Sequence, residues 1–203
     1  MGWKVKSGKE ILVLSVEEVL EVFRRTGVLW EGHFILSSGL HAGRYLQCAQ
    51  VLQYPEEAAK LCAALAEKYQ GQGITAVVGP ATGAIIIAYE VARYLKARAL
   101  FTERENGKMA LRRGFYLSRE DRVLVVEDVI TTGGSVKEVI QVIKECGAVP
   151  VAVGAFVDRS GGQVDLGLPL YTLLSLEIEA YRPEDCPLCR QGLKAVKPGS
   201  RQV

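Results

Sequence analysis

Residues 123–135, VLVVEDVITTGGS, decide the fold of this chain. Val123, Leu124, Val125 and Val126 form an unbroken apolar run rather than an alternating one, the pattern of a central parallel strand covered on both faces. Two carboxylates, Glu127 and Asp128, close the run, and Thr131-Thr132-Gly133-Gly134-Ser135 follows as a turn. Val136, Val139, Ile140 and Ile143 then recur at helical spacing with polar residues between them, and Gly147 suits a left-handed cap. The turn therefore sits at a helix N-terminus, where free backbone N–H groups and the helix dipole favour an anion and glycines let the backbone approach it. Phosphate fits that cradle.

The lysine of the nucleoside-triphosphate loop pattern GxxxxGK[ST] is missing. What remains is a phosphate loop behind two acids, which suits a ligand that also offers hydroxyls, as a ribose does, or brings Mg2+ for the carboxylates to hold directly or through water. The string VVEDVITTGGS, with a strand before it and a helix after it, resembles the 5-phosphoribosyl 1-diphosphate (PRPP) motif of type I phosphoribosyltransferases.

Working outward, Ser15-Val16-Glu17-Glu18 has the form of a capping box ahead of a helix that stops at Gly27. Residues 32–48, GHFILSSGLHAGRYLQC, read as a hairpin or irregular excursion. Pro55 opens a helix with Ala58, Leu61, Cys62 and Leu65 on one face, ended by Gly71 and Gly73. Ile74–Gly79 reads as a strand, residues 79–83 (GPATG) as a tight loop, and Ala84–Lys96 as a helix buried through Ile85, Ile86, Ala88, Tyr89 and Ala92. Arg98–Thr102, Val149–Val157 and Tyr171–Leu176 supply further strands. This alternation predicts an α/β fold with a mainly parallel sheet flanked by helices, and ligands at the carboxyl ends of its strands. Pro80–Gly83, Glu103-Arg104, Glu127–Ser135 and Asp158-Arg159 all follow strand ends and should meet on one rim.

The chain has 203 residues, 49% hydrophobic and 24% charged, enough for one domain with a substantial core. A formal net charge of +2 does not point to a nucleic-acid partner. The longest charge-free stretch, Tyr69–Tyr89, is broken by five glycine and proline residues, and Ile11–Leu14 is too short for a signal sequence, so no membrane association and a cytoplasmic location are expected. Five cysteines at irregular spacing argue against a disulfide framework. Cys186-Pro187-Leu188-Cys189 is half of a zinc pattern without a matching second pair, and Cys48, Cys62 and Cys146 fall on elements expected to be buried, so packing or a redox pair is the favoured reading. His33 and His41 read as structural or hinge-side residues.

The resemblance extends beyond the central motif. Residues 32–48, the GPATG loop, the segment from Phe101 to Phe115, the VDRSGG turn at 157–162 and the tail CPLCRQGLKAVKPGS together are similar to orotate phosphoribosyltransferases over nearly the whole chain. That family implies the type I phosphoribosyltransferase fold in a single domain, residues 1–203: hood elements at about 1–50, a core at about 51–180 and a tail at about 181–203. It implies an enzyme of pentosyl transfer that joins orotate to PRPP with Mg2+, giving orotidine 5′-monophosphate and diphosphate in pyrimidine biosynthesis. A homodimer is implied, with the catalytic loop of one subunit closing over the site of its neighbour. A purine phosphoribosyltransferase and a PRPP-sensing regulator of the same fold are the alternatives. The regulator lacks an evident nucleic-acid surface.

By the same resemblance, Glu127 and Asp128 would hold the ribose hydroxyls and assist the metal. Val129, Ile130, Thr131, Thr132, Gly133, Gly134 and Ser135 would wrap the 5′-phosphate, with Thr131 bordering orotate as well. Arg159 would pair with the orotate carboxylate. Thr82 and Gly83 would approach the diphosphate through backbone N–H groups. Arg104 and Lys108 would be the catalytic cations of the mobile loop, with Gly107 letting it bend. The chain departs from the family at four points: Thr82 and Ser37 stand near positions often held by lysines, and the loop carries neither two adjacent cations nor a histidine.

Overall fold

The computed structural model describes residues 14–36 and 38–198; residues 1–13, Ser37 and residues 199–203 lie outside them, and with them most of the Ile11–Leu14 segment and the end of the tail motif. A capping box at Ser15 and Glu18, with both reciprocal hydrogen bonds made, opens helix α1 (Val16–Arg25). Strands β1 (Leu29–Ile35) and β2 (His41–Leu46) form the expected hairpin, followed by a 3-10 helix over Cys48–Gln53. Helix α2 (Pro55–Glu67) leads to β3 (Ala76–Pro80), α3 (Ile85–Leu95), β4 (Arg98–Glu105) and β5 (Lys108–Leu111). The central motif becomes β6 (Arg122–Ile130) and α4 (Gly134–Glu145). Strands β7 (Val149–Asp158), β8 (Leu170–Ser175) and β9 (Ala180–Tyr181) follow, then a short helix α5 (Pro187–Arg190).

The large sheet has the order β5-β4-β3-β6-β7-β8, parallel throughout except for the antiparallel edge strand β5. Strand β6 is central because its apolar run can be buried on both sides. Leu124 and Val126 join a cluster with Val19, Phe23, Leu61, Leu65, Ile87 and Val91 from α1, α2 and α3, whereas Val123 and Val125 join Val136, Val139, Ile140 and Ile143 of α4. All four strand residues are fully buried. At about 1.5–3 kcal/mol per large aliphatic side chain, that burial holds the strand firmly in register. The acids carried at its far end inherit this rigidity.

A second, three-stranded sheet of order β1-β2-β9 covers the other part of the molecule. It draws on both ends of the chain: His41 and Ala42 pair with Tyr181 and Ala180, and Phe34 bridges to Val196. Sequence reasoning identified the hairpin and missed the third strand, which has only two residues and no periodicity to detect.

Three further expectations are corrected. Helix α3 buries Ile87, Ala88, Val91 and Ala92, while Ile86 and Tyr89 are 45% and 60% exposed. The helix is apolar almost all round, so spacing could not distinguish the sheet-facing stripe from the opposite face. Cys146 is exposed because it caps α4 at its solvent end. The charged stretch after residue 102 is an ordered β4–β5 hairpin turning at Asn106-Gly107, where both residues have positive φ. The alternating charges Glu103-Arg104-Glu105 concealed the end of β4, and β5 is only four residues long.

Candidate active site

Strand β6 runs through the acid pair to Ile130, so the carboxylates are strand residues rather than loop residues. Glu127 is buried and Asp128 partly so. The Asp128 N–H donates to Glu127 Oε1 at 3.1 Å, and the Val129 N–H donates to Asp128 Oδ1 at 2.7 Å. Among the described residues no lysine or arginine forms a salt bridge with either acid. Burial, and then the neighbouring Asp128 charge, push Glu127 well above the carboxylate range; burial likewise raises Asp128 against the pull of the Val129 N–H. Two adjacent acids without a cation call for one from outside, or for hydroxyl donors.

Beyond them, Glu127, Val129, Ile130, Thr131, Thr132, Gly133, Gly134, Ser135 and Val136 line a shallow concavity. Gly133 caps α4 in a left-handed conformation, φ 72°, with no side-chain cap bond. A Cβ there would come within 2.8 Å of Val164 and Leu166, so the turn requires glycine. At the start of α4 the Gly134 N–H donates to Thr132 Oγ1 in a long 3.4 Å bond, and the N–H groups of this first turn are joined by the exposed hydroxyls of Thr131, Thr132 and Ser135. The residues expected to form a phosphate cradle are thus brought together at the end of β6.

The β3–α3 loop reaches the same point. A Cβ on Gly83 would lie 3.0 Å from Asp128 Oδ2, which places this loop directly against the acid pair. The Ala81 N–H donates to the Thr102 carbonyl at 2.7 Å, tying the loop to the middle of β4. Thr82 is exposed beside it.

Arg159 lies one residue past β7, its N–H bonded to the Ile130 carbonyl at 2.7 Å. Its side chain is partly buried, its Nε has no hydrogen-bond partner, and no carboxylate pairs with it among the described residues. Burial lowers its pKa, opposed by the nearby Tyr45 and Cys48 side chains. The Cys48 thiol is itself raised by burial first and then by Asp128, with Arg159 and Glu127 also bearing on it, so these groups share one neighbourhood. Ser160 Oγ and Thr102 Oγ1 are likewise buried without partners. Cys48, Thr102 and Ser160 fall inside segments quoted for the family resemblance, but sequence reasoning gave none of them a role in the site. Anion-seeking and cation-seeking groups therefore stand on one rim, each lacking its counterpart.

The β4–β5 hairpin is differently disposed. Arg104 makes a two-pronged ion pair with Glu138 of α4, at 2.8 and 2.9 Å, and also donates to the Gly107 carbonyl. Arg113 pairs with Glu103, and Arg112 with Glu105 at 3.2 Å. Lys108 is exposed with no carboxylate partner among the described residues. Glu138 is a partner that helical spacing alone did not reveal.

A parallel sheet whose central strand delivers an acid pair to a glycine-rich phosphate turn defines a phosphoribosyl-binding transferase domain, and the family described as "Phosphoribosyl transferase domain" matches residues 48–187. The orotate phosphoribosyltransferase of Desulforamulus reducens is 57% identical over 190 residues, 94% of this chain and 100% of that protein. That of Thermotoga maritima is 56% identical over 183 residues, 90% of this chain and 98% of that protein. The crystal structure of orotate phosphoribosyltransferase from Aeropyrum pernix matches with a TM-score of 0.66 at 26% identity, covering 78% of this chain and 93% of that one. The chain belongs to the orotate phosphoribosyltransferase family.

Proposed function

We propose that this chain transfers the 5-phosphoribosyl group from PRPP to orotate, giving orotidine 5′-monophosphate and diphosphate in the synthesis of UMP. The observation that carries the reading is the pairing of opposites on one rim: a buried acid pair without a cation and a partly buried Arg159 without an anion. PRPP presents hydroxyls to the first and orotate a carboxylate to the second.

In this reading the turn from Val129 to Ser135 holds the 5′-phosphate through α4 N–H groups and the hydroxyls of Thr131, Thr132 and Ser135. Glu127 and Asp128 bind the ribose hydroxyls and stabilise the positive charge that grows at the sugar carbon. The bond from that carbon to the diphosphate oxygen breaks as the bond to the orotate ring nitrogen forms. The charge of orotate near neutral pH is on its carboxylate, so Arg159 and Thr131 position the ring while the proton of the attacking ring nitrogen leaves as the new bond forms and is taken up by the departing diphosphate. The backbone around Thr82 and Gly83 faces the departing diphosphate. Mg2+ bound with PRPP supplies charge neutralisation on that leaving group, and Glu127 and Asp128 fit it as hard oxygen donors, directly or through water.

Arg104 and Lys108 complete the diphosphate site when the hairpin moves. The free state holds Arg104 on Glu138, so closure exchanges a carboxylate partner for a phosphate. The same proposal includes one phosphoribosyltransferase unit, residues 1–203, and a homodimer whose hairpins serve the neighbouring subunit. The exposed Ile86 and Tyr89 of α3 offer an apolar face for a second copy. No helix among the described residues is long and apolar enough to cross a membrane, which fits a cytoplasmic location. An absorbance assay with PRPP and Mg2+, offering orotate, adenine, hypoxanthine and uracil separately, tests the reading. Consumption of orotate alone is expected; orotate left intact while a purine is consumed overturns it.

A further inference from the structure

The CxxC motif is not isolated in space. His33 of β1, His41 of β2, and Cys186 and Cys189 around α5 bring one ligand atom each to within 4.8 Å of one another. The measured separations are 2.9 Å from His33 Nε2 to His41 Nδ1, 3.5 Å from Cys186 Sγ to His33 Nε2, 3.8 Å from Cys189 Sγ to His33 Nε2 and 3.3 Å from Cys189 Sγ to His41 Nδ1. A tetrahedral zinc ion with Zn–N of about 2.0–2.1 Å and Zn–S of about 2.3 Å sets N···N near about 3.3 Å and N···S near about 3.5 Å. The cluster has the ligand types, number and spacing of such a centre.

We propose that His33, His41, Cys186 and Cys189 bind one structural zinc ion that fastens the C-terminal tail to the β1–β2 hairpin. The His33 Nδ1–H donates to the Leu193 carbonyl at 2.7 Å, which fixes the tautomer and leaves the Nε2 lone pair facing the other three ligands. His33, His41 and Cys186 are 5%, 8% and 0% exposed, so three of the ligands are already withdrawn from water. The two histidines share a face of the hairpin diagonally, because Ile35 pairs with His41 and Phe34 with Ala42. Binding releases the proton of each thiol and leaves both imidazoles neutral, giving a site of zero net charge that suits burial. Four protein ligands leave no open position, which makes the centre structural rather than catalytic.

The small sheet has reason to need it. Its third strand is two residues long, and otherwise the tail is held by backbone bonds such as Ile35 N–H to the Val196 carbonyl at 2.9 Å and Val196 N–H to the His33 carbonyl at 2.8 Å. A metal clip offsets the scarcity of apolar core there. It also joins chain segments about 150 residues apart, which is why the sequence showed only half a site. A favoured packing or redox role for the cysteines gives way to a Cys2His2 set once the hairpin is folded.

The test uses the full chain, without a polyhistidine tag, purified from zinc-containing medium. Elemental analysis is expected to find about one zinc per chain, and the Cys186→Ser/Cys189→Ser double variant nearly none. Cobalt(II) replacing the zinc in the parent protein should give thiolate-to-cobalt charge transfer and strong tetrahedral d–d bands, a readout that does not depend on the variant folding. Chelation should lower Tm by more than about 5 °C. Less than about 0.1 zinc per chain with no cobalt–thiolate band, or a Cys186–Cys189 disulfide in the purified protein, overturns the site. Bound zinc whose removal leaves Tm unchanged overturns its structural role.

Discussion

Arg159 offers the sharpest separation of binding from stability. In the free protein its guanidinium is partly desolvated and has no anion to compensate it, so Arg159→Leu removes an unfavourable burial while keeping part of the aliphatic stem. The free chain should therefore keep its Tm or gain slightly. With orotate bound, the same substitution strands the substrate carboxylate in a site built for a planar cation. Truncating one partner of a buried charged pair costs about 2–5 kcal/mol. At about 1.4 kcal/mol per tenfold, kcat/KM for orotate should fall by between about 30-fold and about 4000-fold. PRPP affinity should barely change, because the phosphate turn belongs to β6 and α4. Steady-state absorbance of orotate consumption, calorimetric titration with PRPP and Mg2+, and a thermal melt of the free protein read the three quantities. A kcat/KM for orotate within about threefold of the parent would refute the assignment of Arg159. So would a loss of PRPP affinity as large as the loss for orotate.

Other perturbations bear on the remaining parts of the account. Asp128→Asn should lower kcat by at least about 100-fold at unchanged or higher Tm, since it removes a buried ionisable group; unchanged turnover removes the acid pair from the mechanism. Because Glu127 and Asp128 have folded-state proton affinities above their ordinary values of 4.5 and 3.8, the folded chain binds more protons than the unfolded one above those values. Their contribution to stability therefore falls as pH rises from the acid side, and a pH series of melts with and without Glu127→Gln should show that dependence weakened in the variant. Asp121 behaves oppositely: although burial works against it, hydrogen bonds from Arg98, Ser118 and Thr75 bring its pKa down to about 2 from 3.8. It stabilises the fold above its unfolded value and loses that as pH falls towards 2, so Asp121→Ala should cost about 2 kcal/mol near neutral pH in denaturant melts and leave kcat alone. Arg104→Ala should reduce kcat at least about tenfold, whereas Glu138→Ala, which cuts an exposed pair, should change stability by under about 1 kcal/mol and preserve kcat.

What was legible in the sequence follows a physical rule. Val123–Ser135 could be read because a doubly covered strand, an acid pair and a glycine turn at a helix start each leave a local mark. Arg159 was legible as a position at a strand end, but its lack of a counter-ion appears only when β7 is packed and the guanidinium is seen without a carboxylate. Helix α3 concealed its exposed face behind uniform hydrophobicity, so Ile86 and Tyr89 were misassigned. Strands β5 and β9, four and two residues long, were hidden by their length. Arg104 was recognised, but its partner Glu138 is 34 residues away on another element. The joining of His33 and His41 to Cys186 and Cys189 is the strongest case, since a site assembled from a hairpin and a distant tail leaves no spacing to read.

The central claim is that the rim joins PRPP to orotate, and phosphorus NMR of a single reaction tests it most directly. With PRPP, Mg2+ and orotate present, the account predicts that PRPP disappears while orotidine 5′-monophosphate and diphosphate rise in equal amounts, and that PRPP persists when orotate is withheld. PRPP lost at the same rate without orotate, or left intact in its presence, would contradict it.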